Sequence, residues 1–183
     1  MLRWSLSGMR FYAGVEGNVL HPYHGQADLP GVITIYVGHV VKPEDNIEPP
    51  YTQEKSDYWL RKDGAWAQAW LWRHCPWTAG DASEGRQHNF DACMSLVLNA
   101  GHVFDDVLTE INGENRPDEV KRLWMSHTRA GKDPKALVYR RAKEVALYLT
   151  PDLPALTEED AQNVLASVYE TSRQIVADDG FVA

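Results

Sequence analysis

The sequence has little positive charge, few cysteines and no long apolar run. Its 183 residues contain 18 lysines and arginines against 26 aspartates and glutamates, a net charge of −8 at pH 7. This balance argues against a cationic protein that binds nucleic acid or a membrane surface. No stretch approaches the roughly 18 apolar residues of a membrane span, and the first residues lack the apolar core of a signal peptide. We therefore expect a protein that is made in the cytoplasm and does not insert stably into a membrane.

The two cysteines, Cys75 and Cys93, have neither the CxxC spacing of a metal site nor the density of a secreted disulfide framework. Reduced, buried thiols are the favoured prediction, with a single bridge as the alternative. His21, His24 and His39 also lack a carboxylate-rich or CxxC partner, so the sequence predicts no metal site.

The rest of the composition is that of one globular domain, with 44% apolar and 24% charged residues. The acidic excess is concentrated at the end of the chain. Residues 151–183 contain seven acidic residues and one arginine, a net charge of −6, so the other 150 residues carry only −2. A cap at Thr157 and an apolar stripe behind it predict an amphipathic helix in this acidic segment.

Hydrophobic periodicity divides the chain into a short mixed part and a longer helical part. A first helix is predicted from a cap at Ser5 or Ser7 to a stop at Gly17. Residues 18–42 include the β-branched run "VITIYVGHVV" behind a Pro-Gly turn, which predicts a β-hairpin or a three-stranded meander. After Tyr51 all the patterns are helical.

The helical part contains a stripe of tryptophans. Thr52 is predicted to cap a long helix in which Trp59, Trp66 and Trp70, spaced seven and four apart, share one face. Core packing is favoured for this stripe over a platform for a ligand. Later helices are predicted to end at Gly101 and Gly113 and to begin near Pro117 and Pro134.

The stretch from Glu16 to His39 holds the residues best suited to chemistry. Glu16 ends the first predicted helix, where the partial negative charge of the helix terminus favours the protonated carboxyl that a general acid needs. Asp28 is the next acidic residue in the sequence. The turn that follows is predicted to place the strand of Thr34 beside Asp28. An acid, a carboxylate and a hydroxyl in this arrangement fit a glycosidase, although spacing alone favours an ordinary surface.

This stretch resembles the catalytic segment of the phage-type lysozymes, glycoside hydrolase family 24, whose pattern is roughly E-G-x-x-L-x-x-Y-x-D-x-x-G-x-x-T-I-G-x-G-H. The interval from Glu16 to Asp28 is three residues longer than in the family, and Tyr36 stands in place of a glycine. Four later segments, "SDYWLRKDGAWAQ", "HNFDACMSLVLNAG", "VLTEINGEN" and "ALVYRRAKEVALY", also resemble the family, so the likeness covers residues 1–150. The matching residues of the first stretch are Glu16, Gly17, Leu20, Tyr23, Gly31, Thr34, Ile35, Gly38 and His39.

The resemblance implies an α+β lysozyme-like fold that is mostly helical. A small β-hairpin lobe, about residues 1–51, and a helical lobe, about 52–150, would flank a cleft, with 151–183 as an acidic helical extension. It also implies hydrolysis, with inversion, of the β-1,4 bond between N-acetylmuramic acid and N-acetylglucosamine in peptidoglycan, without a cofactor. The expected setting is a monomeric phage endolysin that waits in the host cytoplasm and acts on peptidoglycan in the periplasm.

By the same resemblance Glu16 protonates the glycosidic oxygen, Asp28 activates or positions the attacking water, and Thr34 holds that water or the sugar. Arg141, in preference to Arg140, is expected near Glu16, with a solvated helix face as the alternative for both arginines. For His39 a structural role, joining the hairpin to the neighbouring helix, is favoured over contact with substrate. The other residues assigned to the substrate cleft are Tyr23, Gly38, Asn99 and Gly101.

Three alternatives stay open on the sequence. A lytic transglycosylase on a lysozyme-like fold would need Glu16 but not a water held by Asp28 and Thr34. A virion-borne or secreted muramidase would carry the same residues as an endolysin. A catalytically inactive protein that binds peptidoglycan or serves a structural role is the third, and it belongs to a different functional class.

Overall fold

The computed structural model describes residues 1–25, 31–80, 85–128 and 134–150, together with Ala166 and Glu170. Two predictions lie outside these residues: the position of Asp28, and the amphipathic helix that begins at Thr157.

The first helix, α1 (Leu6–Glu16), has the boundaries that its sequence predicts. Ser5 is the cap, and its hydroxyl accepts a hydrogen bond from the backbone N–H of Gly8 at 2.9 Å. Gly17 ends the helix with a φ of 91°, a value that side-chain-bearing residues rarely adopt. The carboxylate of the buried Asp91 accepts a bond from the backbone N–H of Ser5 at 3.0 Å. This bond ties the start of α1 to the centre of the helical part.

Three short strands follow: β1 (Val19–Tyr23), β2 (Thr34–Tyr36) and β3 (His39–Val40). They form one antiparallel sheet in the order β1-β2-β3, so the chain makes the predicted meander and not a simple hairpin. Tyr36, the last residue of β2, has a φ of 58° just before the turn to β3. This left-handed backbone explains why a glycine suits the position in the family pattern.

The described residues after β3 are mostly helical, and their caps agree with the sequence. The hydroxyl of Thr52 accepts a bond from the N–H of Lys55 at 3.3 Å, Gly101 ends a helix with a φ of 86°, and Pro117 begins one. Among the residues that the structure describes, no helix has the length and apolar character that crossing a membrane requires. The helices are α2 (Gln53–Asp63), α3 (Ala65–His74), α4 (Gln87–Ala100), α5 (Asp105–Asn112), α6 (Pro117–Ser126) and α7 (Pro134–Leu149), with 3-10 turns at Pro43–Asp45 and Pro76–Ala79.

Helix α4 lies at the centre of the main core. Every residue from 89 to 97 is buried, because α1, α3 and α7 pack around this helix. Its Phe90 and Leu96 meet Trp124 and Leu147 in one apolar cluster. A second, smaller cluster contains Ile35 and Tyr36 of the sheet and Trp59 of α2. The apolar interior is therefore divided between a sheet-bearing part and a helical part.

The prediction that the three tryptophans share one core face is wrong. The long helix is divided at Gly64, where a Cβ atom would lie 2.6 Å from the ring of Trp4. Trp59 packs in the sheet cluster, and Trp70 is half-buried and stacks on the ring of His74. Trp66 is 50% exposed. The three indoles therefore have three different environments.

The prediction of reduced, buried cysteines is confirmed. Cys75 and Cys93 are free thiols, and both are buried. Burial raises the pKa of the Cys75 thiol to about 12, and it raises the pKa of Cys93 well above its usual value. Both sulfurs therefore stay protonated at neutral pH and act as small apolar side chains.

Candidate active site

Glu16 is the last residue of α1, and its side chain is 35% exposed. One of its carboxylate oxygens accepts a hydrogen bond from Nη1 of Arg140, on α7, which makes an ion pair between the two helices. The guanidinium is itself largely buried. The carboxyl group is thus open to solvent on one side and held by a fixed cation on the other.

Arg140 belongs to a buried network of charges. Its Nε donates to Glu144 at 3.1 Å, and Glu144 is completely buried. Glu144 also accepts bonds from Arg141 and, at 2.8 Å, from the hydroxyl of Ser95. Arg140 and Arg141 carry two positive charges and Glu144 carries one negative charge. Glu16 neutralises the positive charge that is left. This balance matters because an unpaired charge is costly to bury.

The prediction that Arg141 lies near Glu16 is wrong, because Arg140 makes that ion pair. Arg141 is 2% exposed and donates to Glu144 and to the side-chain oxygen of Asn99. Neighbouring residues on a helix point about 100° apart, so only one of the two guanidinium groups reaches the end of α1. The alternative of a solvated face is also wrong, since both arginines are buried.

Tyr12 is a member of the site that the sequence analysis missed. It lies one helical turn before Glu16, and the guanidinium carbon of Arg140 lies 5.4 Å from the centre of its ring. Burial, followed by the nearby negative charge of Glu16, raises the pKa of Tyr12 to about 12, so the phenol remains a hydrogen-bond donor. Residues four apart on a helix lie on the same face. This spacing, which separates Tyr12 from Glu16 and Arg140 from Glu144, could have predicted both pairs from the sequence.

The sheet carries the second group of predicted residues. Thr34 is buried at the start of β2, where it pairs with Tyr23 of β1 and Val40 of β3. Tyr23 is half-buried at the end of β1, and Gly38 lies in the turn before β3 with a φ of 74°. The sheet therefore places Thr34 and Tyr23 side by side.

His39 joins the sheet to α2, as the structural role predicted for it requires. Its Nδ1 lies 2.8 Å from a carboxylate oxygen of Asp63, and its Nε2 lies 3.3 Å from Asp45. The ring also packs on Trp59, with 4.3 Å between centroids. A bond from the backbone N–H of Lys42 holds the pKa of Asp45 below its usual range, with further help from His39.

Asn99 and Gly101 lie at the end of α4. Asn99 is exposed, and its side-chain oxygen accepts the bond from Arg141. Gly101 supplies the left-handed residue that ends the helix. The arginine network therefore runs from Glu16 to Asn99 through Arg140, Glu144 and Arg141. Among the described residues, no group of three or more His, Cys, Asp or Glu side chains is arranged to hold a metal ion.

A pocket of about 320 Å³ adjoins these groups. The turn around Gly38 forms one wall, the end of α2 and the start of α3 form another, and Tyr12 and Leu98 close the side towards the helical part. The site as a whole thus combines a half-exposed carboxyl, a buried guanidinium that donates to it, a nearby phenol and an adjoining pocket. Such a carboxyl can exchange a proton with a molecule bound beside it.

Comparisons with known proteins agree on one family. The model of the phage lysozyme family matches residues 13–144. The endolysin of Salmonella phage P22 is 30% identical over 164 residues, which cover 82% of this chain and all of that protein.

Two solved structures have the same lysozyme-like α+β fold. A crystal structure of a P22 lysozyme mutant matches with a TM-score of 0.62 and 29% identity. The muramidase domain of SpmX from Asticaccaulis excentricus matches with a TM-score of 0.58 and 26% identity. Each match covers 82% of this chain and the whole of the other.

Proposed function

The chain belongs to the phage lysozyme family, and on that basis we propose that it is a muramidase of glycoside hydrolase family 24. It would hydrolyse the β-1,4 bond between N-acetylmuramic acid and N-acetylglucosamine in peptidoglycan. The observation that carries the proposal is the half-exposed carboxyl of Glu16, which pairs with Arg140; both residues lie within the matched range 13–144. The relatives described as an endolysin and as a muramidase support the same substrate.

Glu16 is the proposed general acid. It would give its proton to the glycosidic oxygen as the bond breaks, which leaves a carboxylate. Arg140 already donates a hydrogen bond to this group, so the charge that forms there is stabilised without rearrangement of the protein. The buried Glu144 fixes the guanidinium of Arg140 in turn, and so positions it.

Asp28 and Thr34 are the proposed partners of the acid. Asp28 would activate or position a water on the far side of the sugar ring, and Thr34 would hold that water or the sugar. The burial of Thr34 in the sheet supports a fixed position for its hydroxyl. In-line attack by this water inverts the anomeric carbon, and inverting enzymes keep their carboxyls roughly 6.5–9.5 Å apart. Replacement of Asp28 by Asn should then cost most of the activity.

Tyr23, Gly38, Asn99 and Gly101 remain proposed contacts for the glycan. Asn99 is the member of this set that the buried arginine network holds, through Arg141. Arg141 itself is too deeply buried to touch a polymer, so we assign it the positioning of Asn99. His39 would act in the same indirect way, by fixing the turn that carries Gly38.

The proposed setting is that of a monomeric phage endolysin. The likeness to the P22 endolysin supports release from the host cytoplasm to the peptidoglycan of the periplasm. Within the chain, residues 1–51 would form the small lobe, 52–150 the helical lobe and 151–183 an acidic extension. Its expected partner is the glycan strand.

Purified protein added to permeabilised Gram-negative cells tests the activity directly. A loss of turbidity that depends on Glu16 supports a muramidase. Binding to the cells without lysis would indicate an inactive peptidoglycan-binding protein instead, and the proposal would then be wrong.

The released muropeptides test the role of water. Hydrolysis with inversion gives ordinary reducing ends that form first as the α-anomer, which nuclear magnetic resonance detects at early times. Products with 1,6-anhydro-muramic ends, lighter by one water in mass spectrometry, would indicate a transglycosylase. That outcome would remove the roles proposed for Asp28 and Thr34.

A further inference from the structure

The pocket of about 320 Å³ lies next to the proposed acid site, with Tyr12 between them. Tyr12 lines it, and this residue lies one turn before Glu16 on α1. Leu98 also lines it and directly precedes Asn99. A polymer bound at Glu16 therefore has room for a neighbouring unit in this pocket.

Trp66 stands at the pocket and differs from the other tryptophans. All seven tryptophans fall within the described residues, and the other six are buried or half-buried while Trp66 is exposed. The division of the helix at Gly64 separates Trp66 from the segment that carries Trp59. Val40, also exposed, lines the same pocket. Two exposed apolar side chains on one concave surface are typical of a binding site.

Polar groups lie beside this apolar surface. The carboxylate of Asp63 is 43% exposed and uses Oδ2 for His39, which fixes its orientation. The exposed Lys42 lies on the same pocket. A flat aromatic ring with hydrogen-bonding groups at its edge matches a pyranose, which has an apolar face of C–H bonds and a rim of hydroxyl and amide groups.

We propose that Trp66 is a stacking platform for one N-acetylhexosamine ring of the glycan strand, with Asp63 at the edge of that ring. This inference rests on the proposed function, since it names a subsite for the same substrate. It assigns to Trp66 a part in binding and none in proton transfer. Its loss should therefore raise KM and leave kcat nearly unchanged.

Binding without turnover is measured in a Glu16→Gln background, by sedimentation with purified insoluble peptidoglycan. Trp66→Ala should weaken binding by about fivefold or more, a loss typical of an aromatic contact. Trp66→Phe should recover most of the affinity, because it restores a ring. Tyr58→Ala is the matched control: Tyr58 is exposed, lies on α2 and does not line the pocket.

The same variants with Glu16 intact give KM and kcat on peptidoglycan. Equal KM for the parent, Trp66→Ala and Tyr58→Ala would overturn the role of Trp66 and leave the muramidase assignment standing. Absence of both binding and cleavage in the parent would overturn the proposed function instead.

Fluorescence gives a second measurement that does not require an alanine variant to fold. Addition of an N-acetylglucosamine tetramer should change the tryptophan emission of the parent, and Trp66→Phe should lose most of that change. An unaltered response in Trp66→Phe would show that the sugar does not stack on this residue.

Discussion

Glu16 and Arg140 are 124 residues apart in the sequence, and their ion pair joins the end of α1 to α7. The guanidinium also bonds to Glu144, a carboxylate with no exposed surface. The geometry of the half-exposed carboxyl therefore depends on charges inside the helical core. Substitutions of Glu16 and of Arg141 should have different effects, because Glu16 is open to substrate and Arg141 is buried.

Replacement of Glu16 by Gln should reduce lysis of permeabilised cells by about 100-fold or more. The change removes the proposed proton donor while keeping its shape, and a positioned acid contributes at least this much to rate. Glu48→Gln, in an exposed loop, is the control and should keep full activity. Circular dichroism should show an intact fold in both variants. Equal rates for parent and Glu16→Gln would exclude this residue as the acid.

Replacement of Arg141 by Met should lower the free energy of unfolding by roughly 3–5 kcal/mol, because it leaves Glu144 buried with one cation fewer. Arg122→Met is a matched control: Arg122 makes an ion pair with Glu119 at the same helical spacing, but on the surface. That variant should change stability little. Urea denaturation measures both. Similar losses of unfolding free energy in Arg141→Met and Arg122→Met would show that burial of the ion pair does not determine the effect.

The ion pair of Glu110 and Arg116 should make stability depend on pH. Hydrogen bonds from Arg116 lower the pKa of Glu110 from 4.5 to about 2. The folded state thus favours the ionised carboxylate of Glu110 more than the unfolded chain does. The resulting stabilisation of the fold is present above pH 4.5 and is lost as the pH falls towards 2. In Glu110→Gln that contribution is absent at every pH.

Urea midpoints of parent and Glu110→Gln, measured from pH 6 to pH 2, test this linkage. The difference between the two proteins should be largest above pH 4.5 and should shrink in acid. Glu114→Gln is the control, since Glu114 also reaches Arg116 but is 74% exposed. A difference that stays constant over the whole range would rule out the titration of Glu110 as its cause.

Cys75 and Cys93 should react with a thiol reagent only when the protein unfolds. Both are buried, and burial raises the pKa of each thiol, so little thiolate is available. At pH 8 the native protein should react slowly with 5,5′-dithiobis(2-nitrobenzoic acid), at the rate of unfolding. In denaturant both thiols should be modified at once. Rapid reaction of the native protein would show that one of the sulfurs is accessible.

The boundaries of α1, and the starts or ends of several later helices, could be predicted from the sequence. These depend on local bonds: Ser5 and Thr52 cap with their own hydroxyls, and Gly101 ends a helix because it tolerates a left-handed backbone. Alternation of β-branched residues likewise predicted the sheet. The family pattern identified Glu16, whose place at the end of α1 follows from the same local signals.

Tertiary structure alone decided which side chains meet. Arg140 and Arg141 are adjacent in sequence, yet a turn of about 100° between them sends one to Glu16 and the other to Asn99. Similarly, the ring of Trp4 fills the space beside Gly64, and the helix divides there. Regular spacing could not predict the exposure of Trp66, because it depends on how two distant segments pack. Local signals determine where a helix begins and ends. Which residues contact each face of that helix depends on packing between segments far apart in the chain.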